Sequence, residues 1–403
     1  MTFLILGAYY SVNLGDAVIC DCVADQLHRH FPAANILIRD VIRRDRTVIG
    51  PEPQIEKLER RRIRESIRRI STCCGIDLEL RHELRRVEAN RAHLDKICGL
   101  DCDLVVFAGG KLFMDRYALF LEACVLRFAK RGIPVLFNAC GVGPSYSEEI
   151  RRRLKQTLDF PNVKHVSCRD NVNFVNEHYM SRGKTALATF DPALATGDIY
   201  GINRVEHADT VGLGVLCPGE ISPKKMLHFW QGVIRALDRE GTRWKIFTNG
   251  DQADIAFARQ ILRSMPEMAG RDDDLIVPHD SRPEDLVSTI AQFGGLISFR
   301  LHSHIVAASL DIPSVAVVWS EKLPFFFEKI GHKERCLSVK DRPETVLAAL
   351  ARAKEEGYDR NLIREQASFA EDQLVRAIHD VLSEQQLTEV DRGADTVTEG
   401  GAS

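Results

Sequence analysis

Three side chains that can bind anions or move protons lie close together in the C-terminal half of the sequence. Arg300 and His302 belong to the segment SFRLHSH, which follows the apolar run Gly295–Ser298, and Lys322 follows the next apolar run, Ser314–Val318. Loops that follow parallel strands meet at one edge of a sheet, so we expect the three side chains to face one crevice. An arginine fork and a lysine ammonium suit a small ligand that carries both a carboxylate and a phosphate.

His302 is the candidate proton donor of this group. It begins a predicted helix, His302–Leu310, where the positive end of the helix dipole favours a neutral imidazole. A bound phosphate dianion would favour the imidazolium, and His302 could then act as a substrate-dependent general acid. A histidine at a helix start is also commonly a cap or a core residue, and the spacing alone leaves that alternative open.

Further loops that could carry chemistry follow apolar runs in the N-terminal half. They are Gly7–Asp16, with Asn13, Gly15 and Asp16; Ala108–Lys111, with Gly109, Gly110 and Lys111; Asn138–Pro144, with Gly141 and Gly143; and Ser167–Asp170, with Arg169. Glycines let a ligand approach the backbone, and the amides after Gly15 can receive an anion. Lys111 can add a phosphate contact. Arg169 is a candidate ligand-binding cation, with a structural ion pair as the alternative, and ordinary capped turns remain an alternative for the glycine loops.

Short apolar runs alternate with amphipathic stretches along most of the chain. The predicted strands are Thr2–Leu6, Ile36–Ile38, Leu104–Ala108, Val135–Asn138, Val163–Ser167, Val211–Leu216, Lys245–Thr248, Leu275–Val277, Gly295–Ser298 and Ser314–Val318. The predicted helices are Asp16–His30, Arg116–Arg131, Glu148–Leu158, Asn171–Tyr179, Pro223–Glu240, Ala253–Met265, Pro283–Gln292, His302–Leu310, Leu323–Ile330, Pro343–Glu356 and Arg360–Ser383. This alternation predicts an α/β protein with two doubly wound, Rossmann-like domains.

The length of 403 residues also suits two domains. The polar segment Gly197–Asp209 lacks a clear period, so we predict an N-terminal α/β domain over residues 1–200 and a C-terminal α/β domain with closing helices over 205–383. The polar residues 384–403 are predicted to form a disordered tail. An arginine-rich helical insert at 51–98 is either a solvated hairpin or a basic face for an anionic membrane surface or a diphosphate-linked substrate.

Composition and charge exclude several classes of protein. The chain is 45% hydrophobic and 28% charged, which excludes wholesale disorder. Lys+Arg number 54 against 57 Asp+Glu, a net charge of -3, so nucleic acid is not an expected partner. No apolar run reaches the ~18 residues of a membrane span, and the N-terminus lacks the basic region of a signal peptide. The 11 scattered cysteines favour reduced, mostly buried thiols of a cytosolic protein over disulfides or structural zinc.

The motifs and their order resemble the polysaccharide pyruvyl transferase family. The matching segments are NLGD (Asn13–Asp16), VVFAGG (Val105–Gly110), ACGVGP (Ala139–Pro144), SCRD (Ser167–Asp170), FDPAL (Phe190–Leu194), SFRLHSH (Ser298–His304) and IPSVAVVWSEK (Ile312–Lys322). The arginine-leucine-histidine element with its downstream lysine is the most specific part. Two positions depart from the family pattern: Lys111 stands where a third glycine is common, and Ala17 where an acidic residue often follows the Gly-Asp pair.

The resemblance implies a fold similar to that of the GT-B glycosyltransferases and the transfer of a pyruvyl group from phosphoenolpyruvate to sugar hydroxyls as a ketal, in cell-surface or exopolysaccharide biosynthesis. It implies that Arg300, His302 and Lys322 bind phosphoenolpyruvate, with His302 as the acid. Arg169 is a further candidate donor-binding residue. The N-terminal loops are then expected to bind the sugar or lipid-linked oligosaccharide acceptor. No metal or other cofactor is expected. The expected location is the cytoplasm, and contact with the inner face of the membrane is left open.

Two other functions remain compatible with the same residues. A GT-B glycosyltransferase that uses a nucleotide sugar would have the same fold, and the cations would bind its diphosphate. A non-catalytic family member would bind a glycan without releasing phosphate, and the departures at Lys111 and Ala17 give that alternative some support.

Overall fold

A computed structural model of the protein describes residues 1–42, 77–217, 219, 221–278 and 281–398. The strands are β1 (Thr2–Gly7), β2 (Asn35–Asp40), β3 (Leu104–Ala108), β4 (Val135–Cys140), β5 (Val163–Cys168), β6 (Leu187–Ala188), β7 (Val211–Gly214), β8 (Trp244–Phe247), β9 (Gly295–Ser298), β10 (Ser314–Val317) and β11 (Cys336–Leu337). The α-helices are α1 (Leu14–His30), α2 (Leu78–Ala89), α3 (Arg91–Cys98), α4 (Asp115–Ala129), α5 (Glu148–Leu158), α6 (Val172–His178), α7 (Thr196–Tyr200), α8 (Pro223–Arg239), α9 (Gln252–Arg263), α10 (Asp272–Leu275), α11 (Pro283–Ala291), α12 (Leu301–Ser309), α13 (Lys322–Lys329), α14 (Pro343–Glu356) and α15 (Arg360–Thr398).

These strands form two sheets. The first has the order β2-β1-β3-β4-β5-β6 and the second β11-β10-β9-β7-β8, and the strand pairings in both are parallel. β3 is buried along its whole length, as expected when helices cover both faces of a parallel sheet. The predicted α/β class with two doubly wound sheets is confirmed.

Many helix starts follow local signals in the sequence. Pro223, Pro283 and Pro343 each occupy the first turn of a helix, where the missing N–H of proline costs no hydrogen bond. The Ser147 hydroxyl caps α5 by accepting from the Ile150 amide (3.1 Å). These signals explain why the predicted helices begin within a few residues of the observed ones.

One predicted strand is wrong, and two short strands were not predicted. In the segment Leu275–Val277, Leu275 ends the short helix α10, and Ile276 makes only an isolated parallel bridge with Ile246. Three aspartates at 272–274 lie in the first turn of α10, where acidic side chains favour a helix. β6 and β11 have two residues each, too few to produce a periodic pattern.

The predicted C-terminal tail and the predicted insert are each described only in part. α15 continues to Thr398, whereas a disordered tail is predicted from residue 384. A packed helix extends at little cost per added residue, since its nucleus is already formed, so polar composition alone did not mark its end. In the predicted insert at 51–98, residues 77–98 form α2 and α3, and residues 51–76 lie outside the described residues. The predicted domain boundaries stay a prediction.

Most of the described cysteines are buried. Cys20, Cys22, Cys98, Cys102, Cys124, Cys140 and Cys168 are buried free thiols, and Cys217 and Cys336 are partly exposed free thiols. Burial raises the pKa of Cys102 to about 11, so this thiol is a weak nucleophile. Across the described part of the chain, no helix combines the length and apolarity needed to cross a membrane.

A continuous apolar core joins the two halves of the chain. It contains Phe3 and Leu27 from β1 and α1 together with Leu301, Phe327 and Leu374 from α12, α13 and α15. α15 therefore packs back across the N-terminal half after the second sheet is complete. This shared core holds the carboxyl ends of the two sheets in a defined relative position.

Lys329 of α13 links the two halves by hydrogen bonds. Its Nζ donates to the backbone carbonyls of Arg169 (2.7 Å) and Thr189 (2.8 Å), and lies 5.0 Å from the ring centroid of Phe190. Two loops of the first sheet are therefore attached to a helix of the second sheet, next to Arg169.

We predict that Lys329→Met lowers the free energy of unfolding by about 2 kcal/mol, because two buried carbonyls lose a charged donor. The measurement is urea denaturation followed by circular dichroism. The matched control is Lys333→Met, four residues later in the sequence. The Lys333 ammonium pairs with Glu328, and both side chains are exposed. That variant should lose less than about 1 kcal/mol. Equal losses for the two variants would contradict the proposed link.

Candidate active site

The strand ends of the first sheet are connected by backbone hydrogen bonds. The amide of Gly141 donates to the carbonyl of Gly110 (2.7 Å), and that of Gly109 donates to Asn138 (2.9 Å). The amide of Ala139 donates to the Ser167 hydroxyl (2.9 Å). The predicted loops after β3, β4 and β5 are thus brought together as one surface.

Asp16 places a carboxylate at this surface. It accepts hydrogen bonds from the Ser11 hydroxyl (3.2 Å) and the Asn13 amide (3.3 Å). Asn13 is the N-cap residue of α1, but its side chain makes no cap hydrogen bond. Burial raises the pKa of Asp16, and the nearby charges of Arg169 and Lys322 oppose that rise.

His302 lies where the two halves meet. It is buried in the first turn of α12, and its Nε2 is 3.2 Å from Nη1 of Arg169, in the loop after β5. A guanidinium can only donate, so Nε2 is the acceptor and the imidazole is neutral. Burial lowers the pKa of His302 well below its ordinary value, and the charges of Arg169, Lys322, Arg300 and Lys111 lower it further. Lys322 and Arg300 therefore lie close enough for their charges to act on His302, and a shared ligand stays a prediction.

Arg169 makes an ion pair and also faces the site. Its Nη1 bonds to the carboxylate of Asp191, and its Nε lies 4.0 Å from Oδ2 of Asp170. Asp191 uses its other oxygen to cap the turn Pro192–Ala195 through the amide of Ala193 (3.0 Å). The structure therefore shows the ion pair, and the ligand-binding role of Arg169 stays a prediction. Asp191 was missed as a site residue, although it lies in the segment FDPAL.

Arg300 is held by a buried carboxylate. Its Nε (3.0 Å) and Nη2 both donate to Oδ2 of Asp254 in α9, and Oδ1 of Asp254 accepts from the Cys217 amide (2.7 Å). Burial raises the pKa of Asp254 to about 6, although Arg300 opposes the rise. The sequence assigns the Arg300 guanidinium to a ligand, but two of its nitrogens bind Asp254 in the structure. The third nitrogen, Nη1, could bind an anion. Asp254 was missed because it looks like an ordinary polar residue of an amphipathic helix.

Two lysines from opposite halves lie over one aromatic ring. The Nζ atoms of Lys322 and Lys111 are 4.9 Å and 5.4 Å from the ring centroid of Trp319. Burial lowers the pKa of Lys322 well below its ordinary value, and the charge of Lys111 lowers it further. Lys111, which the sequence assigns to the acceptor side, therefore lies beside the predicted donor residue.

The glycines differ in how they serve the site. Gly109 and Gly110 have φ of +48° and +69°, a conformation that favours glycine. Gly15 lies so close to His302 that an added Cβ would be 2.3 Å from the histidine Cβ. A Cβ added to Gly141 would lie 3.3 Å from Nε of Arg169. Gly143 instead packs against Met114, so it shapes the loop and does not reach the charged groups.

Some buried polar atoms at these strand ends have no hydrogen-bond partner within the protein. Six of the 17 such atoms among the described residues are Asn13 Oδ1, Asn138 Nδ2, Arg169 Nε, Asp170 Oδ2, Thr189 Oγ1 and Asn249 Nδ2. Buried polar groups are nearly always paired in folded proteins. These six atoms are therefore available to a polar ligand, and the other eleven belong to residues elsewhere in the described chain.

A separate cavity of about 1160 Å³ lies at the opposite, amino-terminal ends of β9 and β10. Phe293 and Pro313 line it, and Arg204 pairs there with Asp311 (3.3 Å). The described residues around it include none of the predicted site residues. We therefore place the candidate site at the carboxyl ends, where the charged groups converge and several pKa values are shifted.

Comparisons with known proteins identify the family and the fold. A family model described as polysaccharide pyruvyl transferase matches residues 13–321. Similar solved structures include S. aureus MnaA with UDP (12% identity, TM-score 0.54, 95% of this chain and 97% of that chain). Others are the UDP-GlcNAc 2-epimerase from Neisseria meningitidis bound to UDP-GlcNAc (10%, 0.51, 95% and 100%) and the spinosyn rhamnosyltransferase SpnG (11%, 0.50, 94% and 100%). At such identities the likeness shows the fold alone, and it confirms the GT-B-like architecture. Comparison with curated protein sequences finds no match.

We predict that Gly15→Ala lowers the free energy of unfolding by about 1–3 kcal/mol, because the new methyl group overlaps His302 and forces a backbone shift. In an uncrowded helix the same change would stabilise the protein by about 1 kcal/mol, so the sign is informative. Chemical denaturation measures the difference. Gly219→Ala is the control, since an added Cβ there meets nothing within 4 Å. A stable Gly15→Ala protein would show that the close contact does not exist.

Proposed function

The chain belongs to the polysaccharide pyruvyl transferase family, and we propose that it transfers a pyruvyl group from phosphoenolpyruvate to two hydroxyls of a sugar. The observation that carries the proposal is the 3.2 Å contact between Nε2 of His302 and the Arg169 guanidinium. The charges of Lys322, Arg300 and Lys111 also act on His302, and those of Arg169 and Lys322 act on the carboxylate of Asp16. The proposed acceptor is a sugar of a cell-surface polysaccharide or exopolysaccharide that is being synthesised. Phosphoenolpyruvate is a cytoplasmic metabolite, so the proposed reaction takes place in the cytoplasm.

The donor's chemistry defines what the protein must provide. Phosphoenolpyruvate is an enol phosphate, and protonation of its methylene carbon creates an oxocarbenium-like centre at the adjacent carbon. One sugar hydroxyl attacks that carbon, phosphate leaves, and a second hydroxyl closes the cyclic ketal. The protein must donate one proton to carbon, accept the hydroxyl protons and stabilise the departing phosphate. General acid catalysis of this kind contributes typically ~10²–10⁴ in rate.

His302 is proposed as the acid, and its contact with Arg169 explains how it becomes protonated. Nε2 of His302 accepts from the Arg169 guanidinium, 3.2 Å away. A bound anion would accept the hydrogen bond from Arg169 in place of Nε2. Nε2 could then be protonated. The negative charges of the donor would also offset the cations that now lower the pKa of His302.

The remaining charged groups divide between donor and acceptor. The donor's carboxylate and phosphate are proposed to bind to Lys322, Arg169 and Nη1 of Arg300. These groups would also stabilise the negative charge on the leaving phosphate. Asp16 is proposed to accept a proton from a sugar hydroxyl. Its support is a raised pKa caused by burial and its place in the first turn of α1, in the half of the chain where the acceptor is expected.

Incubation of the protein with phosphoenolpyruvate and a panel of synthetic and lipid-linked glycosides tests the proposed function. We expect phosphate release together with a mass gain on the sugar that equals pyruvic acid minus water. Stabilisation by UDP in a thermal-shift assay, with no effect of phosphoenolpyruvate, would instead favour a nucleotide-sugar glycosyltransferase. Glycan binding without phosphate release would favour a non-catalytic family member.

We predict that phosphoenolpyruvate binding takes up protons at about pH 8, where the free imidazole is neutral and the donor is fully ionised. Since binding raises the pKa of His302, affinity should fall as the pH rises through the pKa of the complex. Calorimetry in buffers of different ionisation enthalpy measures the uptake. His302→Asn should reduce the uptake and lower the transfer rate at least ~10²-fold while leaving donor binding measurable.

His228→Asn, a change at an exposed histidine of α8, is the control and should behave as the unmodified protein does. Near-normal transfer by His302→Asn would refute the role of the imidazole as the acid.

A further inference from the structure

Three successive residues at the start of α12 have partners in three different parts of the fold. Nε2 of His302 accepts from Arg169 in the loop after β5 (3.2 Å). The hydroxyl of Ser303 donates to Oδ1 of Asn249 in the loop after β8 (2.8 Å). The ring of His304 bonds to β9 and β10 of its own sheet (3.0 Å and 2.9 Å). The first turn of α12, and His302 with it, is therefore held by several directed bonds.

Asn249 connects this turn to the first half of the protein. The residue is fully buried, and its backbone carbonyl accepts a hydrogen bond from the amide of Leu14 (2.8 Å), the first residue of α1. Its side chain bonds to Ser303 at the same time. A side-chain amide in the reverse orientation would donate to the same hydroxyl, so the link exists in either orientation. One residue thus links the start of α1 with the start of α12.

Close packing around Asn249 leaves the neighbouring segments little freedom to move separately. Gly250 has a φ of +102°, and an added Cβ there would be 2.7 Å from the carbonyl oxygen of Val12. An added Cβ at Gly15 would be 2.3 Å from the Cβ of His302. The segment from Val12 to Gly15 therefore touches both the loop after β8 and the first turn of α12. Because protein interiors are close-packed, a displacement of one of these segments is transmitted to the others.

A small movement of α12 would have a large effect on the site. The contact between Arg169 and His302 is 3.2 Å long, and a hydrogen bond weakens steeply when its geometry worsens. A displacement of about 1 Å can also lower the rate of a reaction about 10²-fold. A residue that holds the start of α12 therefore controls the orientation of the imidazole without touching a ligand.

We propose that Asn249 is a positioning residue, which holds His302 in place by bonding at once to Ser303 of α12 and to Leu14 of α1. The role of His302 as the acid rests on the proposed function, whereas the positioning of its imidazole by Asn249 does not. Nδ2 of Asn249 has no partner within the protein, so a direct bond to the substrate is the competing role. The two roles predict different results.

The experiment removes the side-chain bond from either end. Asn249→Ala deletes the acceptor and keeps the backbone bond to Leu14, and Ser303→Ala deletes the donor. Spectra of the protein with ¹⁵N-labelled histidine report the hydrogen bonding of Nε2 of His302, whose signal is identified by its absence from His302→Asn. We expect each variant to shift this signal and the double variant to shift it no further, because both changes break one bond.

The kinetic arm uses the proposed reaction. We expect Asn249→Ala and Ser303→Ala each to lower kcat about tenfold or more while KM for phosphoenolpyruvate stays within about threefold, since the cations proposed to bind the donor are unchanged. The double variant should be as slow as the single variants. Asn203→Ala is the control, because this asparagine is exposed, and it should alter neither kcat nor the His302 signal.

The contact with the segment before α1 is tested separately. Gly250→Ala places a methyl group against the carbonyl of Val12 and should shift the His302 signal without any change in the sequence of α12. Gly241→Ala is the matched control, since Gly241 also has a positive φ (+67°) but an added Cβ there meets nothing within 4 Å. Equal shifts in the two variants would show that backbone strain moves the histidine, and would contradict the link.

Three results would overturn the proposal. An unchanged His302 signal with an unchanged kcat in Asn249→Ala would show that Asn249 does not act on the site. An unchanged signal with a raised KM would assign Nδ2 to the substrate. A lower thermal stability with an unchanged signal and normal kinetics would leave Asn249 a purely structural role. If Asn249→Ala does not fold, Ser303→Ala makes the same test from the other end of the bond.

Failure of the proposed function gives a different result. If the unmodified protein transfers no pyruvyl group, the kinetic arm has no signal, but a shifted His302 signal in Asn249→Ala still supports the positioning role. Normal transfer by the unmodified protein, with a His302 signal that neither Asn249→Ala nor Ser303→Ala moves, would support the function and refute the positioning role.

Discussion

The contact between Arg169 and His302 is the constraint on which the site depends. A guanidinium from the first sheet donates to an imidazole from the second across 3.2 Å. The relative position of the two halves must therefore be fixed to within a fraction of an ångström. The shared apolar core, which packs α1 against α12 and α15, fixes that position. Lys329 adds a polar link at the same place, through the carbonyl of Arg169 itself. Rigid packing and site geometry are therefore two consequences of one interface.

Burial of several cations in one place imposes a second requirement, which the carboxylates meet. An unpaired buried charge is strongly destabilising, and Asp191 and Asp254 are positioned to compensate Arg169 and Arg300. Each aspartate also has a backbone partner, from Ala193 and Cys217 respectively. The guanidinium groups are thus fixed before any ligand arrives. The entropy cost of ordering them therefore belongs to folding and not to ligand binding. Such preorganised charges stabilise a developing anion without further rearrangement.

The fold was predictable from sequence to the extent that local pattern determines it. Buried strands such as Leu104–Ala108 and helices that begin at a proline, such as Pro343–Glu356, have the predicted bounds. The segment Leu275–Val277 was misassigned because three apolar residues fit a strand or the end of a helix equally well. In the candidate site, motif order predicted His302 and Lys322, whose roles stay a prediction. The partners of the arginines were not predictable, because Asp191 and Asp254 lie 22 and 46 residues away in sequence, and local spacing carries no signal for contacts made only in the folded chain.

The electrostatics of the ligand-free site also suggest why an imidazole suits this position. A permanently charged acid would be repelled by the surrounding cations at all times, whereas an imidazole can stay neutral until an anion enters. The cations that lower the pKa of His302 in the ligand-free protein are the same groups proposed to bind the donor. Donor binding therefore neutralises the charges that suppress protonation and supplies the negative charge that favours it. In the proposed reaction, the acid becomes available only when the molecule that needs the proton is in place, so recognition of the donor and activation of the catalyst are one electrostatic event.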